Sequence, residues 1–225
     1  MASNDMFACR LMSPGGHGAM PRLTADPINA MTKLVEAIQS IPAREISALE
    51  SCVVNIGFIN TPGSRWNVIP SEIAAEGTVL IYSEDTRQRI FALIEERTQK
   101  IAELYHCGSE FHRKKYAIAT INDRTASQYA DCVCRAVLGD GRVDYADVPD
   151  MGAEDFGFFL QKKPGAMIWL GAADQADPHP HALHSPYVKF DLSAFLYGVA
   201  IHVNLVSMLG ETVLPQVKGS YSILK

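Results

Sequence analysis

The sequence predicts an α+β protein: a ferredoxin-like β-α-β-β-α-β unit over residues 1–117, then an incomplete α/β segment over 118–225. Two observations carry this. Before residue 117, two long stretches with apolar residues at helical spacing alternate with four short stretches of period-two patterning. After Asn122 the pattern becomes α/β alternation with only about two strands.

Met6 to Met12 is short and bounded by Ser13, Pro14 and Gly15, so it reads as a strand entering a turn. Asp26 then serves as an N-cap and Pro27 as the first helical residue. Ile28, Met31, Leu34, Val35, Ile38 and Ile41 form one apolar stripe that ends before Pro42. Cys52 to Ile59 places Val54, Ile56 and Phe58 on one face of a second strand. Ile73 to Tyr82 places Ala75, Gly77, Val79 and Ile81 on one face of a third. The linker Asn60 to Ser71, with Pro62, Gly63 and Pro70, is too long for a two-residue hairpin turn. Ser83 caps a long helix whose Ile90, Ile94, Ile101 and Leu104 recur at helical spacing as far as Gly108, the expected stop, and Glu110 to Ala117 supplies the fourth strand.

The second half reads as a helix from Thr125 to Leu138 stopped by Gly139, a strand from Arg142 to Tyr145, a helix from Glu154 to Gln161 and a strand from Ala166 to Leu170. A final helix runs from Leu192 to Leu209, capped by Asp191 and ended by Gly210. Two strands are marginal in water by themselves. This segment therefore packs on the first domain or expects strands from elsewhere.

With 48% apolar and 20% charged residues, the 225-residue chain has the composition of a globular protein with a core. A net charge of −5 provides no basic field for polyanions, so nucleic acid is excluded as a partner. The uninterrupted apolar runs fall short of the roughly 20 residues of a bilayer span, and Met1 to Asp5 has no secretory signature. A cytoplasmic protein without a membrane partner is expected. The five cysteines (Cys9, Cys52, Cys107, Cys132, Cys134) contain no C-x-x-C pair, and are expected to be reduced and mostly buried.

Three stretches, in this order, resemble the zinc-dependent aminoacylase and carboxypeptidase family, in its hippurate hydrolase and N-acyl-amino-acid amidohydrolase branch. They are Gly15-Gly16-His17-Gly18-Ala19-Met20-Pro21 with Asp26-Pro27, then Asn67-Val68-Ile69-Pro70 with Glu76-Gly77-Thr78-Val79, then Met151-Gly152-Ala153-Glu154-Asp155-Phe156 with Leu183-His184-Ser185-Pro186. The resemblance extends from about Ala2 to Gly210. It implies that the first domain is a lid and dimerisation domain, and the second the C-terminal half of an α/β catalytic domain that binds two zinc ions, with manganese or cobalt as substitutes. The family's N-terminal metal ligands and general base have no counterpart here. Glu95-Glu96, the one adjacent Glu pair, reads as a solvated helix face.

The resemblance assigns His184 as a metal ligand, and His179 and His181 lie close enough in sequence to form a local metal site with it. It assigns His17 as the catalytic histidine that stabilises the amide oxyanion in the partner subunit's active site. Asn67, Gly152 and Glu154 are implied as substrate-binding residues, although Asn67 can equally form an Asx-type turn, and Glu154 can serve as a first-turn carboxylate. The family has Arg in the strand after Gly-Thr-Val, whereas this sequence has Leu80, which removes a bidentate carboxylate partner from that strand. The implied activity is hydrolysis of an N-acyl amino acid to a carboxylic acid and an amino acid by a homodimer joined through the lid. This chain alone is expected to be inactive and to hold no tightly bound metal. The alternative is a non-catalytic dimerisation module made by the lid of a truncated homologue.

Overall fold

The computed structural model describes residues 1–145, 149–174, 177 and 179–218, with side chains to residue 210. In chain order the elements are β1 (Ser3–Met12), β2 (Gly16–His17), α1 (Pro27–Gln39), α2 (Ile41–Arg44), β3 (Cys52–Asn60), β4 (Val68–Ile69), β5 (Glu72–Ile81), α3 (Glu84–Leu104), β6 (Gly108–Ala117), α4 (Arg124–Leu138), α5 (Gly157–Leu160) and α6 (Ser193–Lys218). Single 3-10 turns lie at Pro21–Leu23 and Asp140–Arg142.

They form two compact units, Met1–Ile121 with residues 149–161, and residues 122–145 with those from 162 onward. The division is thus not a single cut at 117/118. The stretch carrying Gly152 and Glu154 belongs with the first unit, because the amide of Ala2 donates to the carbonyls of Asp150 (3.1 Å) and Gly152 (3.0 Å).

The first unit is a four-stranded antiparallel sheet in the order β3-β5-β1-β6. Phe7, Cys9 and Leu11 of β1 and Ile73, Ala75, Val79 and Ile81 of β5 are buried against Ala30, Met31, Leu34 and Ile38 of α1 and Ile90, Phe91 and Ile94 of α3. Period two in the strands and one-sided stripes in the helices thus meet in one core. Asp26 caps α1 by accepting from Ile28 N at 3.0 Å, and Ser83 caps α3 by accepting from Thr86 N at 3.3 Å. Within this core the Asp5 carboxylate receives Nε and Nη2 of Arg87, both side chains being inaccessible to solvent.

Gly77 faces Phe7 across the β1/β5 pair. A Cβ there would stand 2.2 Å from the carbonyl oxygen of Asn55 and 2.5 Å from Cζ of Phe7, and a backbone oxygen cannot yield as a flexible side chain would. Gly77→Ala is expected to destabilise the first unit by about 3 kcal/mol. Urea unfolding checks it, and a loss below about 1 kcal/mol would show that the sheet opens there at little cost.

Two local expectations for this unit are corrected, those for Phe58 and Gly108. Helix α1 ends at Gln39, before Pro42 as expected, and Pro42 lies in the first turn of the separate helix α2, where a proline has no amide bond to lose. Phe58 is 50% exposed rather than in line with Val54 and Ile56, since the bulge between Ile56 and Phe58 reverses the parity of the strand. Gly108 is the first residue of β6, and the left-handed position after α3 is taken by His106, with φ 58°. The linker before β5, too long for a two-residue turn as expected, contains β4, which pairs with β2.

In the second unit, α4 is capped by Asp123, which accepts from Ala126 N at 2.9 Å, and α4 packs with α6 around Val133, Cys134 and Ile201. The expected strands at 142–145 and 166–170 do not form. Asp140–Arg142 is a 3-10 turn, Met167 is held by the side-chain amide of Asn122 at 2.9 and 3.0 Å, and the one strand-like contact among the described residues is the Ala173–Phe190 bridge. Without neighbouring strands, these short apolar stretches find no ladder partners. The expected helix from Glu154 shrinks to the four residues of α5. Asp191 holds the start of the last helix, accepting from Ser193 N at 2.8 Å, but Gly210 does not end it, and α6 continues to Lys218.

Helix α6 is the most apolar long element. Its window Ser193–Gly210, with mean hydropathy 1.5, is long and apolar enough to cross a membrane by length and composition, and only 11% of it is buried. His202, Asn204 and Ser207 interrupt its apolar sequence.

All five cysteines are free thiols, but only Cys9 and Cys134 are buried and Cys132 is exposed. Burial pushes the Cys9 thiol up to about 11, a rise only partly offset by the Thr98 hydroxyl that donates to its sulfur. Cys9 therefore acts as a core hydrophobe.

Candidate functional site

The first glycine-rich motif and the Asn-Val-Ile-Pro motif, some fifty residues apart in sequence, meet in a two-stranded antiparallel ribbon: Gly16 pairs with Ile69 and His17 with Val68. Two tight turns end it side by side. In one, Met20 N donates to the carbonyl of His17 at 2.8 Å. In the other, Val68 N donates to the carbonyl of Arg65 at 3.1 Å. A bond from Gly18 N to the Asn67 carbonyl, 2.9 Å, ties the turns together. Glycine is required at this contact, since a Cβ on Gly18 would lie 2.9 Å from that same oxygen. Gly15 enters the ribbon with φ 69°, a left-handed conformation that glycine adopts without cost.

His17 is exposed, and its Nδ1 accepts a hydrogen bond from Ala19 N at 3.1 Å. With Nδ1 committed as acceptor, the neutral ring carries its proton on Nε2. The ribbon thus offers solvent a fixed N–H donor with Asn67 beside it, a suitable arrangement for charge developing on a carbonyl oxygen.

Glu154 lies elsewhere in the first unit, with both carboxylate oxygens engaged: the Thr120 hydroxyl donates to Oε1, and Phe156 N to Oε2 at 2.6 Å. These bonds fasten the 150–157 stretch, so Glu154 acts as an internal clamp. Gly152 is exposed, its amide donating to Asp150 Oδ1 at 2.8 Å. Glu95 and Glu96 are exposed on α3, where Glu96 pairs with Lys100, as expected of a solvated helix face.

In the second unit, His184 is exposed in a left-handed conformation, φ 70°. Sequence proximity does not gather the histidines around it. The His181 ring packs on Tyr187 with centroids 5.7 Å apart, and no group of three or more His, Cys, Asp or Glu able to hold a metal exists among the described residues. A zinc centre takes about three protein ligands. The donors described here therefore do not fit a closed metal centre, and a metal held by His184 would need ligands from beyond them.

The ribbon also carries residues that the sequence reading passed over. Trp66 is 96% exposed, Leu23 64% and Met20 55%, and Arg65 uses one donor on the carbonyl of Ser64 at 3.0 Å. Strands of two residues are too short to show a period, so the pairing that builds this ribbon had no sequence signal.

Known proteins resemble this chain over nearly its whole length. Residues 14–208 match the profile of peptidase family M20/M25/M40. The N-acetylcysteine deacetylase of Bacillus subtilis is 30% identical over 213 residues, covering 95% of this chain and 54% of that protein. The hippurate hydrolase of Campylobacter jejuni is 31% identical over 170 residues, covering 76% and 44%. Among solved structures, a Bacillus subtilis protein described as a dinuclear metal-binding peptidase of the M20 family superposes with a TM-score of 0.71 at 27% identity, covering 94% of this chain and 51% of that one. The chain spans about half the length of the curated relatives it matches. The ordered motifs, the fold they build and a profile match over most of the sequence agree: this chain belongs to peptidase family M20/M25/M40.

Proposed function

We propose that the chain is the later part of a metal-dependent amidohydrolase that cleaves N-acyl amino acids to a carboxylic acid and an amino acid. In this reading the first unit is the ferredoxin-like lid, and the second is the later half of the catalytic domain. The observation that carries it is the fixed Nε2–H of His17 beside Asn67 on a ribbon built from two motifs of the family. The relatives named for deacetylation and hippurate hydrolysis, and a neighbour described as binding two metals, support the reaction class and metal dependence.

Within this reading His17 donates to the amide oxygen as it gains charge, Asn67 orients the substrate, and His184 contributes one ligand to a metal centre completed by the earlier half of the catalytic domain. The metal, when bound, supplies an acidified water and polarises the amide carbonyl. The same earlier half covers α6, whose Phe195, Leu196, Val199, Val203 and Val206 are each more than half exposed. This makes the apolar window an interior face of a cytoplasmic enzyme.

The chain alone is expected to release no product from hippurate or N-acetyl amino acids with added zinc or manganese. A fusion to the earlier half of the Bacillus deacetylase is expected to restore hydrolysis. Calorimetry showing two tight zinc sites in the chain alone would overturn its incompleteness, whereas a metal-loaded fusion inert toward a panel of N-acyl amino acids would overturn the activity. The second reading, a dimerisation module without catalysis, draws on β3 and β6 being the outer strands of the sheet, each paired on one side only. A dimer on size exclusion together with an inert fusion favours it.

A further inference from the structure

Resting on the amidohydrolase reading, we infer that the Arg65–Val68 turn reads the substrate itself: Trp66 is the wall for a flat apolar acyl group, and Arg65 is the partner of the free carboxylate. The ligand is then an N-arylacyl amino acid. An indole almost wholly in water is a large apolar surface without a partner, yet Trp66 does not hang from a loose loop. The Val68 N to Arg65 carbonyl bond closes the turn on one side, and the Gly18 N to Asn67 carbonyl bond fixes it to the His17 turn on the other. An aromatic side chain held on such a base loses little freedom when a ring stacks on it, and buries much area in return.

Arg65 stands next to it in sequence. Among the described residues its one hydrogen bond goes to the carbonyl of its neighbour Ser64, and a guanidinium has five donors, so a fork remains for a carboxylate. This bears on Leu80, which lies between Asn4 and Val53 in the sheet and offers no cation. The guanidinium missing from that strand is present on the ribbon instead, two residues from Asn67. The acyl group is assigned to Trp66 and the carboxylate to Arg65 by the chemistry of the two side chains: a flat ring stacks on an indole, and a carboxylate takes a guanidinium fork.

The test reads binding without turnover. The chain has two tryptophans, Trp66 and Trp169, hence two indole N–H signals in an ¹⁵N spectrum, which Trp66→Phe assigns. N-phenylacetylglycine is expected to move the Trp66 indole and the Gly18 amide, with a Kd about tenfold lower than that of N-acetylglycine or of N-phenylacetylglycinamide. Arg65→Gln should erase the preference for acid over carboxamide and keep the preference for the aromatic acyl group. Trp66→Ala, read at Gly18, should do the reverse. Signals unmoved by N-phenylacetylglycine, equal response to all three ligands, or discrimination surviving both substitutions would overturn the assignment. So would a Trp66 signal that shifts with protein concentration alone, which would place the indole against a second copy. An inert fusion enzyme sinks the activity reading and leaves this binding result standing on its own.

Discussion

Replacing Asp5 with Ala is expected to destabilise the first unit by roughly 3–5 kcal/mol, because it strands a guanidinium inside the core. Arg87 enters from α3 with its side chain 1% exposed. Asp5, on the central strand β1, is 0% exposed and takes two of its donors, while Nη1 reaches Glu84 at 2.8 Å. Glu84 is more than half exposed, so it cannot replace the lost partner. The size of the effect comes from the charge left behind more than from the net worth of the pair. It follows that Asp5→Leu with Arg87→Met, which removes both charges, should recover most of the loss. Amide exchange in β1 and β5 reads the first unit separately from the second. A loss below about 1 kcal/mol in Asp5→Ala, or a double substitution as damaging as the single one, would show that the pair is not desolvated.

The first unit was legible because its signals are local and redundant. Asp26 and Ser83 announce their helices through the bonds they later accept, and the alternation of β5 from Ile73 to Ile81 is the alternation of its burial. What escaped was decided by geometry that a pattern does not carry. A bulge at Gly57 turned Phe58 outward, and His106 rather than a glycine took the left-handed position after α3. The second unit was less legible for a different reason. Its apolar stretches at 142–145 and 166–170 look like strands, but a strand needs a neighbour to pair with; the sequence showed that neighbours were few, and the pattern alone did not say that the strands would then fail to form.

The candidate site divides in the same way. Gly18 belongs to the glycine-rich motif, and it sits where a Cβ would strike the Asn67 carbonyl. The meeting of His17 and Asn67 was not readable, since it depends on two strands of two residues each. Glu154 shows a different case: the carboxylate of this motif accepts from the Thr120 hydroxyl and from Phe156 N, a structural task the motif did not announce. A motif carries its structural residues along with its reacting ones.

Under the proposed amidohydrolase reading, replacing His17 with Ala is expected to lower kcat of the completed enzyme by about 10²- to 10³-fold with KM little changed, the effect of removing one preorganised donor to a developing oxyanion. The geometry separates this from a loss of structure. His17 is exposed and its side chain makes a single local bond, to Ala19 N, so the unfolding midpoint should be unchanged in His17→Ala. Gln at the same position keeps an N–H donor, held less firmly, and should recover part of the loss. Gly18→Ala supplies the complementary control: it keeps the imidazole but pushes a Cβ against the Asn67 carbonyl, so it should lower kcat by moving the donor. If His17→Ala raised KM and spared kcat, the ring would be binding ground-state substrate. If Gly18→Ala were silent while His17→Ala were not, the imidazole would act without help from the ribbon that holds it.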